Sequence, residues 1–231
     1  MNIMLQQQLD IENILMDVDG TMTSEKRDNV FSMSPLEHLL KLLCEIHYLS
    51  REKALQRVYD AGNPETSCLF GFLDALDIPK QAFWNVLVDD IRESVEIPDD
   101  TVRFMEFVKE KGIKLFSATT NSKMMTLVKL SIAGLASIDG SPYFSGFFGG
   151  DFFDDPNGKF SDKFFPSIMK YGNFDPERTM MIGDSEIWDM IPALGAGIKN
   201  VMIINRCQKE AVISRDDVFY INNLETLMRI L

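Results

Sequence analysis

Past Pro98 the chain alternates short apolar runs with amphipathic stretches, and few folds accommodate that alternation. The stretch "DDTVRFMEFVKEKG" has helical spacing, and the apolar run "IKLFSAT" follows it. "SKMMTLVKLSIAG" and "SDKFFPSIMKYG" read as helices, "RTMMIG" as a strand, "EIWDMIPALGAG" as a helix and "NVMIIN" as a strand; "VFYINNLETLMRIL" adds a last short strand and helix. Strands joined through helices imply right-handed crossovers. The expectation is a Rossmann-like α/β fold, a parallel sheet covered by helices on both faces. One further apolar strand is expected far upstream, at residues 12–17. Between the two regions the pattern is helical: "SPLEHLLKLLCEIHY", "SREKALQRVYDAG", "ETSCLFGFLDAL" and "IPKQAFWNVLVDDIRES". The reading is a discontinuous core domain, 1–23 plus 96–231, with an all-helical domain inserted at 24–95. In such sheets ligands bind outside the carboxyl ends of the strands, so residues at strand ends carry the functional weight.

Composition narrows the partners. A formal net charge of −12 argues against nucleic acid and anionic membranes, which select basic surfaces. An anionic substrate must then be attracted by a local site. The start, "MNIMLQQQLDIEN", lacks the basic residue and apolar stretch of a secretory signal, and no apolar run is long enough to span a bilayer. Cys44, Cys68 and Cys207 are scattered and odd in number, which fits buried thiols in a reducing cytoplasm better than a disulfide framework.

The first strand ends in "DVDGT", with Asp17 and Asp19 separated by one valine. Two carboxylates so close repel each other and resist desolvation, so they need solvent or a cation. A calcium loop counted from Asp17 would need Gly at its sixth place and Glu at its twelfth; Met22 and Asp28 stand there. A plain acidic turn stays open for this motif alone. "RTMMIG" ends at Gly183-Asp184, with Asp189 further on. Alone, Asp184 and Ser185 read as helix caps; beside the aspartate pair, Asp184 completes a hard oxygen cluster suited to Mg²⁺. A third strand ends at Thr119-Thr120-Asn121, where Thr120 or Asn121 suits an N-cap, while hydroxyls and free N–H groups at a helix start also bind phosphate. Lys159 follows the aromatic, glycine-rich stretch "YFSGFFGGDFFDDPNGKF", read as a strand or hairpin with a tight turn at Asn157-Gly158. It is either a solvated lysine or a compact cation for a phosphate or a nucleophile.

Together these residues resemble the haloacid dehalogenase superfamily, in its phosphatase branch. "DVDGT" resembles the first motif, Thr119 the second, Lys159 the third and "GDSEIWD" the fourth. Thr119 is preferred to Thr120 because it stands seven residues after Gly112; the third-motif lysine is often followed by Pro, but Phe160 follows here, and Lys163 is the alternative. The resemblance implies that Asp17 is the nucleophile of an aspartyl-phosphate, Asp19 the general acid and base, and Thr119 and Lys159 further catalytic groups. It implies substrate contacts from Thr120 and Asn121, and Mg²⁺ at Asp17, Asp19, Asp184 and Asp189. The helical insert resembles the family's cap. The expected function is a cytoplasmic phosphatase for a small phosphorylated metabolite.

A sugar phosphomutase resembling β-phosphoglucomutase ranks second, because a cap histidine and lysine of that group are missing where Asn29 stands. A non-catalytic phosphate-ligand-binding protein is the rival from another class. His38 and His47 are too far apart for a helix-face metal site, and are expected to pack or face solvent. Lys26, Arg27 and Arg51 read as solvated charges that could alternatively reach an anionic substrate.

Overall fold

The computed structural model describes residues 8–26, 30–153, 155, 157–215 and 218–231. Arg27, Asp28 and Asn29 therefore lie outside the described residues. In chain order the strands are β1 (Asn13–Met16), β2 (Ser24–Glu25), β3 (Val95–Glu96), β4 (Lys114–Ala118), β5 (Phe144–Phe148), β6 (Thr179–Gly183), β7 (Asn200–Ile204), β8 (Val212–Arg215) and β9 (Val218–Ile221). The α-helices are α1 (Pro35–His47), α2 (Arg51–Ala61), α3 (Leu73–Leu76), α4 (Lys80–Ile91), α5 (Asp99–Glu110), α6 (Lys123–Ser131), α7 (Phe164–Gly172) and α8 (Ile191–Gly195).

The chain divides into two compact units. One draws on the spans Met1–Ser24, Ile97–Asn121 and Pro142–Leu231, and the other on Glu25–Glu96 and Ser122–Ser141. The first holds a seven-stranded sheet in the order β5-β4-β1-β6-β7-β9-β8. β1 is central and buried throughout, as expected of a short apolar run paired on both sides. It runs parallel to β4 and β6, with Met16 opposite Ser117 on one side and Ile182 on the other. β4–β5, β6–β7 and β7–β9 are also parallel. From β1 the chain fills one side of the sheet through β4 and β5, then crosses to the other side at β6. The strand order therefore reverses at β1, the topological switch point where α/β sheets open a crevice.

Some elements differ from expectation. β8 was not legible as a strand: it is short and pairs antiparallel with β9 at the sheet edge. "ETSCLFGFLDAL" gives a 3₁₀ turn at Leu69–Gly71 and the single turn α3, not one helix, because Gly71 interrupts it and Asp77 turns left-handed at its end. "EIWDMIPALGAG" opens with a π-helical turn at Glu186–Met190, where the Met190 N–H bonds the Ser185 carbonyl at 3.1 Å. Pro192 has no N–H to close a regular bond onto residue 188, so the wider turn suits the sequence. The C-terminal helix is a 3₁₀ segment, Leu224–Arg229. The aromatic stretch forms β5, a parallel edge strand, followed by a 3₁₀ turn at Gly158–Phe160 with Gly158 at φ +50°.

In the second unit, Ser34 and Ser50 cap α1 and α2 by accepting from Glu37 and Lys53 N–H. Ser122 caps α6, accepting from Met125 N–H at 3.3 Å. Neither Thr120 nor Asn121 is the cap. The cysteines are free of disulfides; Cys44 and Cys68 are half-buried, but Cys207 is exposed in the turn after β7, contrary to the expectation of buried thiols. Among the described residues no helix is long and apolar enough to cross a membrane.

One core cluster of the first unit joins Leu15 of β1, Met181 of β6, Ala118 of β4 and Phe164, Phe165 and Ile168 of α7. Aromatics of the β5 region complete it: the Phe116 and Phe148 rings stack at 5.5 Å, with Phe153 packed alongside. Phe165 is fully buried in this cluster. Phe165→Ala is expected to cost about 3–5 kcal/mol, seen as a lower urea midpoint with an unchanged m-value.

Candidate active site

The sheet ladder continues one bond past β1, where the Asp17 N–H donates to the Ile182 carbonyl at 2.9 Å. The chain then winds into a tight turn around one acceptor. Thr21, Met22 and Thr23 all donate their N–H to the Val18 carbonyl, at 3.3, 2.8 and 2.9 Å. Gly20 sits in the left-handed region at φ +74°, and a β-carbon there would collide with the Asp184 carboxylate. The glycine of "DVDGT" thus serves the turn and leaves room for the acid arriving from β6.

Three strand ends meet at this edge of the sheet. The carboxylate oxygens of Asp17, Asp184 and Asp189 lie within 4.8 Å of one another. Lys159 enters among them, 4% exposed, with Nζ 2.7 Å from Asp17 Oδ1 and 2.6 Å from Asp189 Oδ1. Lys163, the alternative, is exposed just before α7. A close backbone approach delivers Lys159: Gly150 donates its N–H to the Asn121 carbonyl at 3.0 Å, and a β-carbon on it would strike the Thr120 carbonyl. The next turn, at Gly158, packs against Gly150.

Asp19 is held differently. Its Oδ2 accepts from Asn121 Nδ2 at 2.8 Å, and the Thr23 hydroxyl approaches Oδ1 at 3.5 Å. Its carboxylate is not part of the clustered triad. Thr119 is buried, and its hydroxyl accepts from the Asn121 N–H at 3.3 Å and Nδ2 at 3.1 Å. Thr120 is exposed. Asp189 Oδ2 also accepts from the Ser185 N–H at 3.0 Å, while the Ser185 hydroxyl caps the π-helical turn by accepting from Trp188. The contributions of Thr23 and Gly150 were not legible in the sequence, since a threonine and a glycine in loops carry no spacing signal.

Burial dominates the electrostatics. It pushes the Asp17 carboxyl up to about 7; Lys159 pulls it down, while Asp189 and Asp184 push it further up. Burial pulls the Lys159 ammonium down, but Asp17 and Asp189 outweigh it and hold the lysine protonated. Asp189 and Asp184 both add negative potential at Asp17, against the one ammonium that touches it. Hard oxygen donors and clustered negative charge fit a divalent cation of the Mg²⁺ type.

The other candidates belong to the helical unit. His38 is buried with Nε2 2.8 Å from Asp90 Oδ2. Burial pushes Asp90 up, but bonds from Ser32, His38 and Met33 outweigh it and hold the carboxyl below its usual range. His47 Nε2 lies 3.1 Å from the Leu76 carbonyl. Lys26 pairs with Glu96 and Arg51 with Glu37, in both cases on the surface.

The raised Asp17 carboxyl sets a pH dependence. A folded-state pKa above the ordinary 3.8 gives stability that is full below 3.8 and lost as pH rises through about 7. In metal-free protein, Asp17→Asn should therefore gain stability relative to wild type by on the order of 2 kcal/mol between pH 5 and pH 8. Denaturant melts in EDTA at the two pH values read this gap.

A model of the haloacid dehalogenase-like hydrolase family matches residues 11–197. No curated protein sequence matches the chain. Among solved structures, it resembles a HAD phosphatase from Thermococcus onnurineus, at 21% identity over 95% of this chain and 97% of that one, with a TM-score of 0.54. The YfnB protein of Bacillus subtilis, bound to magnesium, matches at 19% identity over 96% and 98% of the two chains, with a TM-score of 0.53. A variant of CbbY from Rhodobacter sphaeroides, in complex with xylulose-(1,5)bisphosphate, matches at 17% over 93% and 95%, with a TM-score of 0.50. At these identities the structures speak for the fold, whereas the family match spans most of the sequence and includes all the clustered acids and the lysine: the chain belongs to the haloacid dehalogenase-like hydrolases.

Proposed function

We propose that the protein is a cytoplasmic, Mg²⁺-dependent phosphatase that hydrolyses a small phosphorylated metabolite through an aspartyl-phosphate on Asp17. The observation that carries this reading is the buried Asp17–Lys159–Asp189 arrangement, with Asp184 beside it and Asp19 one turn away. The family membership supports it. So do the neighbouring folds, one a phosphatase, one bound to magnesium and one holding a sugar bisphosphate.

Asp17 attacks phosphorus in line, forming the O–P bond as the ester oxygen leaves. Asp19 donates a proton to that oxygen, then takes one from the water that cleaves the acyl phosphate. Its bond from Asn121 fixes the carboxyl for both tasks. Thr119 accepts twice from Asn121, which frees its own proton to donate to a phosphoryl oxygen. Thr120 and Asn121 add contacts at the strand end. Lys159 holds Asp17 in place and balances the phosphoryl charge, and Asp189 orients Lys159. Asp17, Asp184 and the Asp19 carbonyl, with Asp189 behind them, would hold a magnesium ion, which would supply the charge that lets a phosphate approach a carboxylate. The helical insert at 24–95 corresponds, on this reading, to the family's cap, the part that in such enzymes sets substrate choice.

Release of p-nitrophenol from p-nitrophenyl phosphate should require Mg²⁺ and stop in EDTA. Asp17→Asn should lower kcat by at least about 10³-fold, and Asp19→Asn by roughly 10²–10⁴-fold on alkyl phosphates. Turnover that survives Asp17→Asn would refute the mechanism. A panel of phosphorylated metabolites compared by kcat/KM then identifies the substrate.

A further inference from the structure

Arg206 follows β7 and lies outside all of the family motifs. Its guanidinium nevertheless reaches the loop that carries the two first-strand aspartates. Nη2 donates to the Thr21 carbonyl at 2.9 Å and to the Thr101 hydroxyl at 3.3 Å, and Nη1 donates to both Asp100 oxygens, at 2.9 and 2.8 Å. Asp100 is buried in turn, and its Oδ2 also accepts from the Leu224 N–H at 2.8 Å. The cation is thus fixed by the start of α5 and the C-terminal 3₁₀ segment before it touches the loop. Such a fork has the planar geometry that only arginine offers.

We infer that Arg206 is a positioning residue that holds the turn after Val18, and through it Asp19. The two aspartates are secured by different means. Asp17 is tied into the sheet through Ile182 and clasped by Lys159. Asp19 rides on the turn formed by Thr21, Met22 and Thr23 around the Val18 carbonyl, and the Thr23 hydroxyl links that carbonyl, at 3.0 Å, to the neighbourhood of Asp19 Oδ1. Arg206 pins the outer side of this turn at Thr21. Removing it loosens Asp19 while Asp17 keeps its own bonds. The inference rests on the proposed roles of the two aspartates, and it predicts a specific defect: proton transfer to the leaving group fails while attack on phosphorus persists.

Leaving groups separate the two. Nitrophenolate departs with little need of a proton, whereas an alkoxide needs one, so general acid catalysis matters mainly for the second. We would measure kcat/KM of wild type, Arg206→Met and Arg206→Lys on p-nitrophenyl phosphate and on the best alkyl phosphate from the panel, with hydrogen exchange of the peptide spanning residues 18–24. Arg206→Met should lose at least about 10-fold more on the alkyl ester than on the nitrophenyl ester, with faster exchange in that peptide. Arg206→Lys, which keeps the charge without the fork, should fall between. Equal losses on the two esters, or unchanged exchange in Arg206→Met, would overturn the inference. If the wild type turns over neither ester with Mg²⁺, the phosphatase reading fails, and exchange alone decides whether Arg206 holds the turn.

Discussion

Lys159 places its ammonium 2.7 Å from Asp17 and 2.6 Å from Asp189 with almost no access to solvent. An unpaired charge at that depth would cost several kcal/mol, so the ammonium is tolerable only because both carboxylates flank it, and the two mutually repelling carboxylates only because it stands between them. The rest of the site follows from that mutual dependence. β1 and β6 must end side by side to bring the acids together, and the glycine-rich loop after β5 must run close to Thr120 and Asn121 to bring the lysine in. The arrangement still leaves Asp17 with a raised pKa, because burial and two further carboxylates outweigh one ammonium. The divalent cation proposed for the site would lower that negative potential.

Architecture and chemistry are coupled through the strand order. Parallel strands put all their carboxyl ends on one edge, and the reversal at β1 leaves a crevice there. Asp17, Thr119 and Asp184 each stand one residue beyond a strand, so three distant parts of the chain reach the crevice without long loops. The tight turn after Val18 then carries Asp19 back to Asn121. Rigid strands fix Asp17, the proposed nucleophile, while a hydrogen-bonded turn fixes Asp19, the proposed proton donor. The two are thereby open to separate perturbation.

Much of the sheet was legible because buried parallel strands are apolar on both faces and stand out against amphipathic helices. β8 was not, since a short edge strand paired on one side only needs no such run. The π-helical turn at Glu186–Met190 hid inside a helical pattern, because Pro192 acts on backbone geometry without disturbing side-chain spacing. Ser122 outranked Thr120 and Asn121 as the cap of α6, a choice set by where the helix begins and invisible to propensity alone. His38 offered only a lone imidazole to a sequence reader; its partner Asp90 lies 52 residues away on α4.

The sequence by itself determined the strand–helix alternation, the residues at the strand ends and the family, because local periodicity and short motifs are properties of neighbouring residues. Only the tertiary structure decided that Lys159 and not Lys163 meets Asp17, that Gly20 gives way to Asp184, and that Arg206 reaches Thr21. Those are contacts between segments more than a hundred residues apart. Their identity depends on ångström-scale backbone approach and on which charge is desolvated, and neither quantity is written in the order of the residues.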